Sequence, residues 1–374
     1  MKILLIGDAS NYHKSLSVGL AALGHDVTVA SDGTSWLRTE RDIDLSRRLP
    51  GKAGGALLWL RLNTVLRRDL RGYDIVQVTN QNFVPLKPCR IMKAFDYLRA
   101  NNGAVYCTAL ASDNAYVRTC LDASSPLRYS EWRLPSGPTA FSRSAQSHRD
   151  QWLSDDMRRL ADHLFMGVDG IVSALYEYHA VFGQAYPGVP LAYGGIPLDM
   201  SLLRPSDETE SNVRKRRLRV LLTAHKGREN EKGMDLMRPM AERLLREHSD
   251  KVELLTPPNM PYSRFTRYLG GIDMVFDQMY SYTPATTALM LMAMGGVPLS
   301  GAEPEYYDFI GEKELHPILN LDPLDLEGTY RRIVGLVSDR DLFLRMRSQG
   351  REFVRRHNST EVVARRFEDF WLGR

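Results

Sequence analysis

A basic turn between a predicted strand and a predicted helix is the part of the sequence best suited to bind an anion. The apolar run 218–222 is typical of a buried strand, and a helical pattern begins at Gly233. Three cations, Lys226, Arg228 and Lys232, lie in the turn between them. Such groups beside a helix N-terminus suit a diphosphate, because the helix dipole adds to their charge. The alternative is a solvated basic turn that neighbouring glutamates neutralise.

A polar and aromatic loop, 277–287, follows the predicted strand 272–276 and leads into an apolar helix. The sequence predicts Thr283 as the N-cap of that helix and Pro284 as its first residue. A capped core helix accounts for these two positions. It does not account for the density of hydroxyl, amide and ring groups in the rest of the loop, which therefore becomes a second candidate for ligand binding.

Two carboxylates, Glu303 and Glu305, flank a proline just after the predicted strand that opens at Gly296. At the carboxyl end of a parallel strand, carboxylates could accept hydrogen bonds from the hydroxyl groups of a sugar or a ribose. The alternative is an acidic turn before a helix, where negative charge is favourable in any protein. The sequence does not choose between these two interpretations.

Two loops in the first half of the chain carry further candidates. Asn11, Tyr12 and His13 follow the first predicted strand, and Asp113 lies in the loop after the strand that ends near Thr108. We expect both loops at the carboxyl edge of a parallel sheet, where α/β proteins bind ligands. Asp113 or His13 could contact a hydroxyl group of an acceptor. The alternative for each is a structural hydrogen bond.

Several known catalytic motifs are missing from the sequence. No G-x-G-x-x-G follows the first strand, and neither G-x-x-x-x-G-K-[ST] nor G-x-S-x-G occurs. The nine histidines form no H-E-x-x-H pair, and the three cysteines form no C-x-x-C pair. We therefore expect no dinucleotide cofactor, no P-loop, no hydrolase nucleophile and no metal site built from neighbouring residues.

The order of predicted elements indicates an α/β fold with two doubly wound domains. Strands and helices alternate from the first residues, and the alternation restarts after the polar, aperiodic segment 206–212, which we interpret as a linker. We predict a first Rossmann-like domain over 1–205, a second over 206–357 and a C-terminal helix over 358–374. A cleft between two such domains is a common place for ligands.

These segments together resemble those of the GT-B glycosyltransferases, especially the retaining family 4 enzymes and a branch of bacterial glycosyltransferases common in Bacteroidetes. Three sets of residues carry the resemblance: Gly227-Arg228 with Lys232-Gly233, the segment 293–298, and the loop 277–284 with Glu303-Pro304-Glu305. The resemblance covers essentially the whole second domain. In the first domain it is architectural, with 194–199 similar to the family's segment before the linker.

The resemblance implies a GT-B fold, in which two Rossmann-like domains face each other across a cleft and the final helix packs back on the first domain. It implies a hexosyltransferase of the retaining type, active in cell-surface polysaccharide synthesis. The donor, a nucleoside-diphosphate sugar, is a substrate that binds to the second domain. The first domain binds a saccharide or lipid-linked acceptor. No cofactor and no metal ion are expected, because fixed cations stabilise the leaving nucleotide.

The expected site residues fall into three groups, of which those in the second domain follow from the resemblance and those in the first from their places after predicted strands. The expected catalytic residues are Arg228, Lys232 and Asp113. The expected donor-binding residues are Lys226, Gln278, Tyr282, Thr283, Pro284, Glu303 and Glu305. The expected acceptor-binding residues are Asn11 and His13.

The sequence departs from the family 4 pattern at a pair of positions where those enzymes carry glutamates. The alignment puts Thr283 and Leu291 there, and leucine cannot accept a hydrogen bond from ribose. Either Glu303 and Glu305 supply those contacts, or the protein binds a different donor. Two alternatives to a transferase therefore remain: a GT-B epimerase that acts on a nucleotide-sugar, and a non-catalytic relative that serves as a subunit or scaffold.

Composition and charge limit the partners. The chain has 374 residues, 43% of them hydrophobic and 25% charged, and its formal net charge of +4 is too small to indicate nucleic acid. We find no run of about 18 apolar residues that would predict a membrane span. The three cysteines suit a reducing cytoplasm, where we place the protein.

The basic, leucine-rich segment 46–71 carries much of the positive charge. Its pattern is typical of a segment that lies on an anionic membrane surface, which would make the protein peripheral at the inner face of the membrane. The alternative is a helix that packs on the sheet through its leucines and leaves its arginines in water.

Overall fold

A computed structural model describes residues 1–33, 40–223, 229–257 and 260–374. The chain divides into two units. The first unit comprises Met1–Leu127, Gln146–Pro197 and Thr360–Arg374, and the second comprises Arg128–Ala145 and Leu198–Ser359.

The secondary structure alternates between strands and helices in both units. The strands are β1 (Lys2–Ile6), β2 (Asp26–Ser31), β3 (Ile43–Asp44), β4 (Ile75–Val78), β5 (Ala104–Ala109), β6 (Arg133–Leu134), β7 (Gly137–Pro138), β8 (Gly170–Ser173), β9 (Leu191–Tyr193), β10 (Leu218–Leu222), β11 (Val252–Leu255), β12 (Met274–Phe276), β13 (Val297–Ser300) and β14 (Leu319–Asn320). The helices are α1 (Tyr12–Ala22), α2 (Gly51–Asn63), α3 (Pro88–Asn101), α4 (Asn114–Leu121), α5 (Ala140–Ser144), α6 (Gln146–Trp152), α7 (Asp155–Phe165), α8 (Tyr176–Ala185), α9 (Glu210–Lys215), α10 (Met234–Glu247), α11 (Tyr262–Leu269), α12 (Thr286–Met294), α13 (Pro304–Ile310), α14 (Leu326–Ser338), α15 (Arg340–His357) and α16 (Thr360–Trp371).

The first unit is built on a parallel sheet with the strand order β3-β2-β1-β4-β5-β8-β9. In the central strand β1, Leu4 lies opposite Thr28 of β2 and Val76 of β4. Leu4 is fully buried, as expected for a parallel strand that helices cover on both faces. The strand order changes direction between β1 and β4. At such a switch point, α/β proteins bind ligands beyond the carboxyl ends of the strands.

The second unit is built on a parallel sheet with the strand order β11-β10-β12-β13-β14. Its core packs around fully buried side chains of the central strands, among them Val220, Phe276 and Leu299. The strand order changes direction between β10 and β12, so the second unit has a switch point of its own. The parallel register places the carboxyl ends of β10, β12, β13 and β14 along one edge of the sheet.

The C-terminal helix α16 packs against α1 and so belongs to the core of the first unit. A Cβ atom at Gly19 would lie 2.1 Å from the carbonyl oxygen of Thr360, so the two helices approach closely at this glycine. The ring of Phe367 lies edge-on to that of Tyr12, with centroids 6.4 Å apart. Trp371, on the same helix, is also buried.

Residues Arg128–Ala145, which we call the strap, interrupt the first unit in sequence but pack with the second. The strap holds the β6–β7 hairpin and α5, and its Trp132 is fully buried. The sequence predicts a first domain that runs unbroken from 1 to 205. The strap differs from that expectation because its contacts reach about 150 to 180 residues along the chain and leave no local pattern in the sequence.

The predicted linker 206–212 is also part of the second unit. The backbone N–H of Ser206 donates to the carbonyl oxygen of Met294 at 2.9 Å. Glu208 forms an ion pair with Arg216, and the hydroxyl of Thr209 caps α9. The polar composition that suggested a linker therefore serves a helix cap and an ion pair.

Segment 46–71 forms α2 and the turns beside it. Its buried leucines face the unit, as in a helix packed on the sheet: Leu58, Leu62, Leu66 and Leu70. Three other apolar side chains lie largely in solvent: Leu49 at 48% exposure, Leu60 at 58% and Val65 at 71%. No helix in the part of the chain that the structure describes is both long enough and apolar enough to cross a membrane.

Candidate functional site

An ion pair between Lys232 and Asp277 lies at the switch point of the second sheet. Asp277 directly follows β12, its side chain is fully buried, and its Oδ1 lies 2.9 Å from the ammonium nitrogen of Lys232. The carbonyl oxygen of Lys232 accepts a hydrogen bond from the N–H of Met279, which joins the two loops. Thr223, directly after β10, donates its hydroxyl to the carbonyl of Phe276 at 2.9 Å. These contacts hold a cation where α/β proteins bind ligands.

Gly233 lets the lysine turn approach the loop after β12. It has a φ of 80°, and a Cβ atom there would lie 2.5 Å from the Cβ of Met279. Only glycine combines this left-handed conformation with so close a contact. Gly233 is also the N-cap of α10, so the positive end of the helix dipole lies beside the ammonium group of Lys232.

The other two cations of the basic turn, Lys226 and Arg228, lie outside the described residues. Their assignment to a diphosphate remains a prediction. Lys232 is thus the member of the predicted trio whose position is known, and its charge is balanced by Asp277. Asp277 opens the candidate loop 277–287 but was not among the site residues expected from the sequence. The signal was present, because Asp277 is the first polar residue after a buried strand.

Glu303 follows β13 and holds three partners. Its Oε1 accepts a hydrogen bond from the phenol of Tyr129 and another from the amide of Asn320, each at 2.7 Å. Its Oε2 accepts from the guanidinium group of Arg128. Burial, together with the Glu303 carboxylate, raises the pKa of Tyr129 far above its ordinary value, so the phenol stays protonated and donates. The carboxylate is fixed in one orientation as a result.

Tyr129 of the strap stacks on Tyr282, which lies in the same loop as Asp277. The ring centroids are 4.7 Å apart with 21° between the planes. The guanidinium of Arg128 lies over both rings, 5.6 and 5.7 Å from their centroids. Its Nε donates to Glu305 at 2.7 Å. The strap is therefore anchored to the loops that follow β12 and β13.

The remaining predicted donor-binding residues lie in the loop after β12. Thr283 and Pro284 are buried and Gln278 is partly exposed. The predictions that Thr283 caps the next helix and that Pro284 is its first residue are wrong, because α12 begins at Thr286 and has Ala285 as its N-cap. The hydroxyl of Ser281 instead donates to the carbonyl of Thr283 and accepts from its N–H, which forms a local turn before the helix.

Leu291 is a core residue of the second unit. It is fully buried on α12, and its side chain lies 2.5 Å from where a Cβ atom of Gly296 would stand. A glutamate at this position would have to place a charge in that apolar contact. The structure thus gives the residue that departs from the family 4 pattern a packing role.

His13 lies at the switch point of the first sheet, with its ring fully buried. Its Nδ1 is 2.6 Å from the carbonyl oxygen of Gly7 and 3.1 Å from the hydroxyl of Thr79. Because a carbonyl only accepts, Nδ1 carries the hydrogen and Nε2 is left as an acceptor. Burial lowers the pKa of His13 to about 4, so the ring is neutral at pH 7. Nε2 has no hydrogen-bond partner among the described residues.

Asp113 follows β5 and is fully buried. Its Oδ1 accepts a hydrogen bond from the N–H of Tyr116 at 2.7 Å, which caps α4. Burial raises the pKa of Asp113 to about 7. Its Oδ2 contacts no hydrogen-bond donor of the described chain. Asp113 therefore has a structural role as a cap, and it also keeps a buried polar atom for which the described chain supplies no partner.

The loops after β1 and β5, which contain Asn11 and Asp113 and the first of which leads into His13, have a strained backbone. Among the described residues, the non-glycine residues with positive φ are Ser10, Asn11 and Ala111. All of them lie in the loop after β1 or in the loop after β5. Such strain persists only where the surrounding structure enforces it, and it concentrates at functional sites. Among the described residues no hydrogen bond joins His13 to Asp113, and β4 lies between the strands that precede them.

No protein family matches the sequence, and no curated protein matches it either. Solved structures do share the fold. Sucrose-phosphate synthase from Thermosynechococcus elongatus aligns with a TM-score of 0.64 at 12% identity, over 100% of this chain and 98% of its own. HepE of Anabaena in complex with UDP-glucose aligns with a TM-score of 0.58 at 11% identity, over 100% of both chains.

A glycosyltransferase from Rickettsia africae aligns with a TM-score of 0.57 at 12% identity, over 100% of this chain and 97% of its own. At these identities the likeness establishes the fold. The chain is an α/β protein of the GT-B type with two parallel-sheet domains, which confirms the fold class expected from the sequence. Within the described ranges, no three His, Cys, Asp or Glu side chains are grouped so that they could hold a metal ion.

Proposed function

We propose that this protein is a glycosyltransferase that takes a sugar from a nucleoside-diphosphate sugar bound to the second unit. The observation that carries the proposal is the Lys232–Asp277 ion pair at the switch point between β10 and β12. HepE, which shares the fold, is described in complex with UDP-glucose, and this supports a nucleotide-sugar as the ligand. The basic turn and the N-terminus of α10 suit the diphosphate of such a donor.

The proposed chemistry depends on the charge that develops when the sugar leaves. Breaking the bond from the anomeric carbon leaves negative charge on the terminal phosphate of the nucleotide. Lys232 and Arg228 would stabilise that charge from fixed positions, with Lys226 nearby, so the diphosphate would be held without a metal ion or a cofactor. By its resemblance to family 4, the transfer would retain the configuration at the anomeric carbon.

The acceptor would bind to the first unit. Neutral His13 offers Nε2 as a hydrogen-bond acceptor, Asp113 offers a buried carboxyl, and the strained backbone at Asn11 supports a site in the same region. These groups suit the hydroxyl of a saccharide or lipid-linked acceptor. Such an acceptor would agree with a cytoplasmic protein that acts in the synthesis of cell-surface polysaccharide.

A second candidate is a non-catalytic GT-B relative that serves as a subunit or scaffold. The observation in its favour is that Glu303 accepts hydrogen bonds from side chains of the protein itself, while Leu291 packs in the core. Neither position then offers the ribose contact that the family 4 glutamates make. This candidate predicts that nucleotides do not bind, or bind without transfer.

Calorimetry with UDP, GDP, ADP and CDP tests the proposal. We expect one of them to bind, and Arg228→Ala to weaken that binding at least about tenfold, since charge-assisted contacts contribute roughly 1.5–3 kcal/mol. Arg345→Ala, at an exposed position on α15, is the matched control and should leave the affinity unchanged. Absence of binding to every nucleotide would reject the glycosyltransferase. Binding without release of nucleotide from any nucleotide-sugar, with or without acceptors, would favour the second candidate.

A further inference from the structure

The pair formed by Arg128 and Glu305 is the open face of an otherwise buried cluster. The side chain of Arg128 is 43% exposed and that of Glu305 is 36% exposed. The groups behind them, Tyr129, Tyr282 and Glu303, are buried. A ligand that reaches this end of the sheet therefore meets a guanidinium and a carboxylate side by side.

We propose that Arg128 and Glu305 bind two neighbouring hydroxyl groups of the nucleotide-sugar, either on its ribose or on the sugar to be transferred. The inference rests on the proposed function and adds a residue of the strap to the donor site. A carboxylate accepts hydrogen bonds from hydroxyl groups, and a guanidinium donates to their oxygen atoms. The pair can thus bind both hydroxyl groups of a diol, one through the carboxylate and the other through the guanidinium.

Several contacts fix the guanidinium of Arg128, yet some of its N–H donors remain available to a ligand. Its Nε donates to Glu305, its Nη2 donates to Glu303 and Glu305, and its plane lies over two tyrosine rings. No hydrogen bond joins its Nη1 to a residue of the described ranges. Because a guanidinium has several donors in a rigid fork, the Nη1 side remains able to bind a ligand oxygen.

The charge of the cluster favours hydroxyl groups over phosphate. One guanidinium faces the carboxylates of both Glu303 and Glu305, so the described cluster carries a net negative charge. A phosphate would be repelled there and drawn to the basic turn around Lys232, whereas a neutral hydroxyl group would not be repelled. The two halves of the edge therefore suit different parts of one nucleotide-sugar.

The two halves follow neighbouring strands of the sheet. Asp277 follows β12, Glu303 follows β13, and the two strands are neighbours in the sheet. Adjacent strands lie about 4.8 Å apart, so one ligand can reach the ends of both strands. Tyr282, which supports Arg128, belongs to the loop that begins at Asp277.

Glu303 and Tyr129 are positioning residues in this proposal, since both are buried behind the pair. They fix Arg128 and need not touch the ligand. The proposal thereby accounts for the missing family 4 glutamates. In place of those glutamates, Glu305 and Arg128 of the strap bind the hydroxyl groups.

The test compares matched ligands in the full-length protein. Dissociation constants are measured by calorimetry for UDP, GDP and ADP, for their 2′-deoxy counterparts, and for UDP-glucose, GDP-mannose and ADP-glucose. The variants are Glu305→Ala, at a partly exposed position that leaves the Glu303 bonds intact, and Arg128→Ala. The controls are Glu327→Ala and Arg243→Ala, which disrupt an exposed pair of the same unit whose arginine also lies over a tyrosine ring.

If the pair binds ribose, the wild type prefers the ribonucleotide to its 2′-deoxy form severalfold, and both variants abolish that preference. If the pair binds the sugar to be transferred, the wild type binds the nucleotide-sugar more tightly than the nucleotide, and both variants lose that difference in affinity. The proposal is overturned if nucleotide binds and both ratios in Glu305→Ala equal those of the wild type and the controls. A wild type that binds no nucleotide rejects the proposed function itself. Thermal melting of each variant shows whether Arg128→Ala has unfolded the unit, in which case Glu305→Ala decides.

Discussion

The ammonium nitrogen of Lys232 lies 2.9 Å from a carboxylate oxygen of Asp277, and that carboxylate has no exposed surface. A buried carboxylate depends on its partner, because removal of one charge leaves the other uncompensated in the interior. The pair therefore contributes to the integrity of the second unit as well as to the proposed donor site. The structural role is testable without any ligand.

Lys232→Ala should lower the free energy of unfolding by about 3–5 kcal/mol, the usual cost of breaking a buried ion pair from one side. Urea denaturation measures this loss. The double variant Lys232→Ala/Asp277→Ala should lose less than the sum of the two single variants, since it leaves no buried charge behind. Lys313→Ala, an exposed lysine of the same unit, should change stability by less than about 0.5 kcal/mol. Equal losses in Lys232→Ala and Lys313→Ala would contradict the assignment.

Asp113 gives the first unit a stability that depends on pH. Burial raises the pKa of its carboxyl to about 7, against 3.8 for the ordinary group. Between these values the folded chain binds more protons than the unfolded chain, so the contribution of Asp113 to stability falls as pH rises. It is fully present below about pH 4 and lost once the pH has passed about 7.

Asp113→Asn should therefore become more stable than the wild type as pH rises from 4 to 7, with a constant difference above that. Asparagine still accepts the capping hydrogen bond from Tyr116. Urea midpoints at several pH values measure the difference. Asp325→Asn is the matched control, because Asp325 caps α14 by the same kind of bond at an exposed position. A pH-independent difference for Asp113→Asn would show that the carboxyl is already ionised in the folded protein.

The contact between α1 and α16 predicts that a methyl group at position 19 cannot be accommodated. In Gly19→Ala the new Cβ would lie 2.1 Å from the carbonyl oxygen of Thr360, so the helices must separate. We expect a loss of about 1–3 kcal/mol in unfolding free energy, as for other overpacked cores. Gly335→Ala on α14 is the control, because nothing lies within 4 Å of the added methyl group. It should gain up to about 1 kcal/mol in unfolding free energy from helix propensity. Similar effects at both positions would argue against the α1–α16 contact.

The sequence predicted those features that depend on short-range pattern. The run 218–222 is β10 as expected, and the alternation of strands and helices forms a parallel sheet in each unit. The strap was missed because Tyr129 meets Glu303 across 174 residues, and no local pattern records such a pairing. Thr283 looked like a helix cap because a proline follows it, but a hydrogen bond from Ser281 decides the turn. Glu303 lies at a strand end as expected, whereas its hydrogen-bond partners could be read only from the structure.

Segment 46–71 carries exposed apolar and basic residues, which we together call the basic patch. Its apolar members are Leu49, Leu60 and Val65, and its basic members are Arg47, Arg48, Lys52, Arg67, Arg68 and Arg71. Lys52 and Leu60 are eight residues apart on α2 and share a helix face. A segment that exposes both apolar and cationic side chains suits a surface of anionic lipid.

We therefore predict that the protein floats with vesicles containing phosphatidylserine and not with pure phosphatidylcholine vesicles. Each basic residue near an anionic surface contributes about 1 kcal/mol, so Arg67→Glu/Arg68→Glu should reduce the partition coefficient more than tenfold. Arg158→Glu/Arg159→Glu is the matched control, because it reverses two adjacent exposed arginines on α7 of the same unit. If only overall charge mattered, both double variants would lose binding equally. If the arginines of segment 46–71 are simply solvated, as in the alternative interpretation, the wild type will not float at all. Loss of flotation in Arg67→Glu/Arg68→Glu but not in Arg158→Glu/Arg159→Glu is the result that assigns the membrane contact to the basic patch.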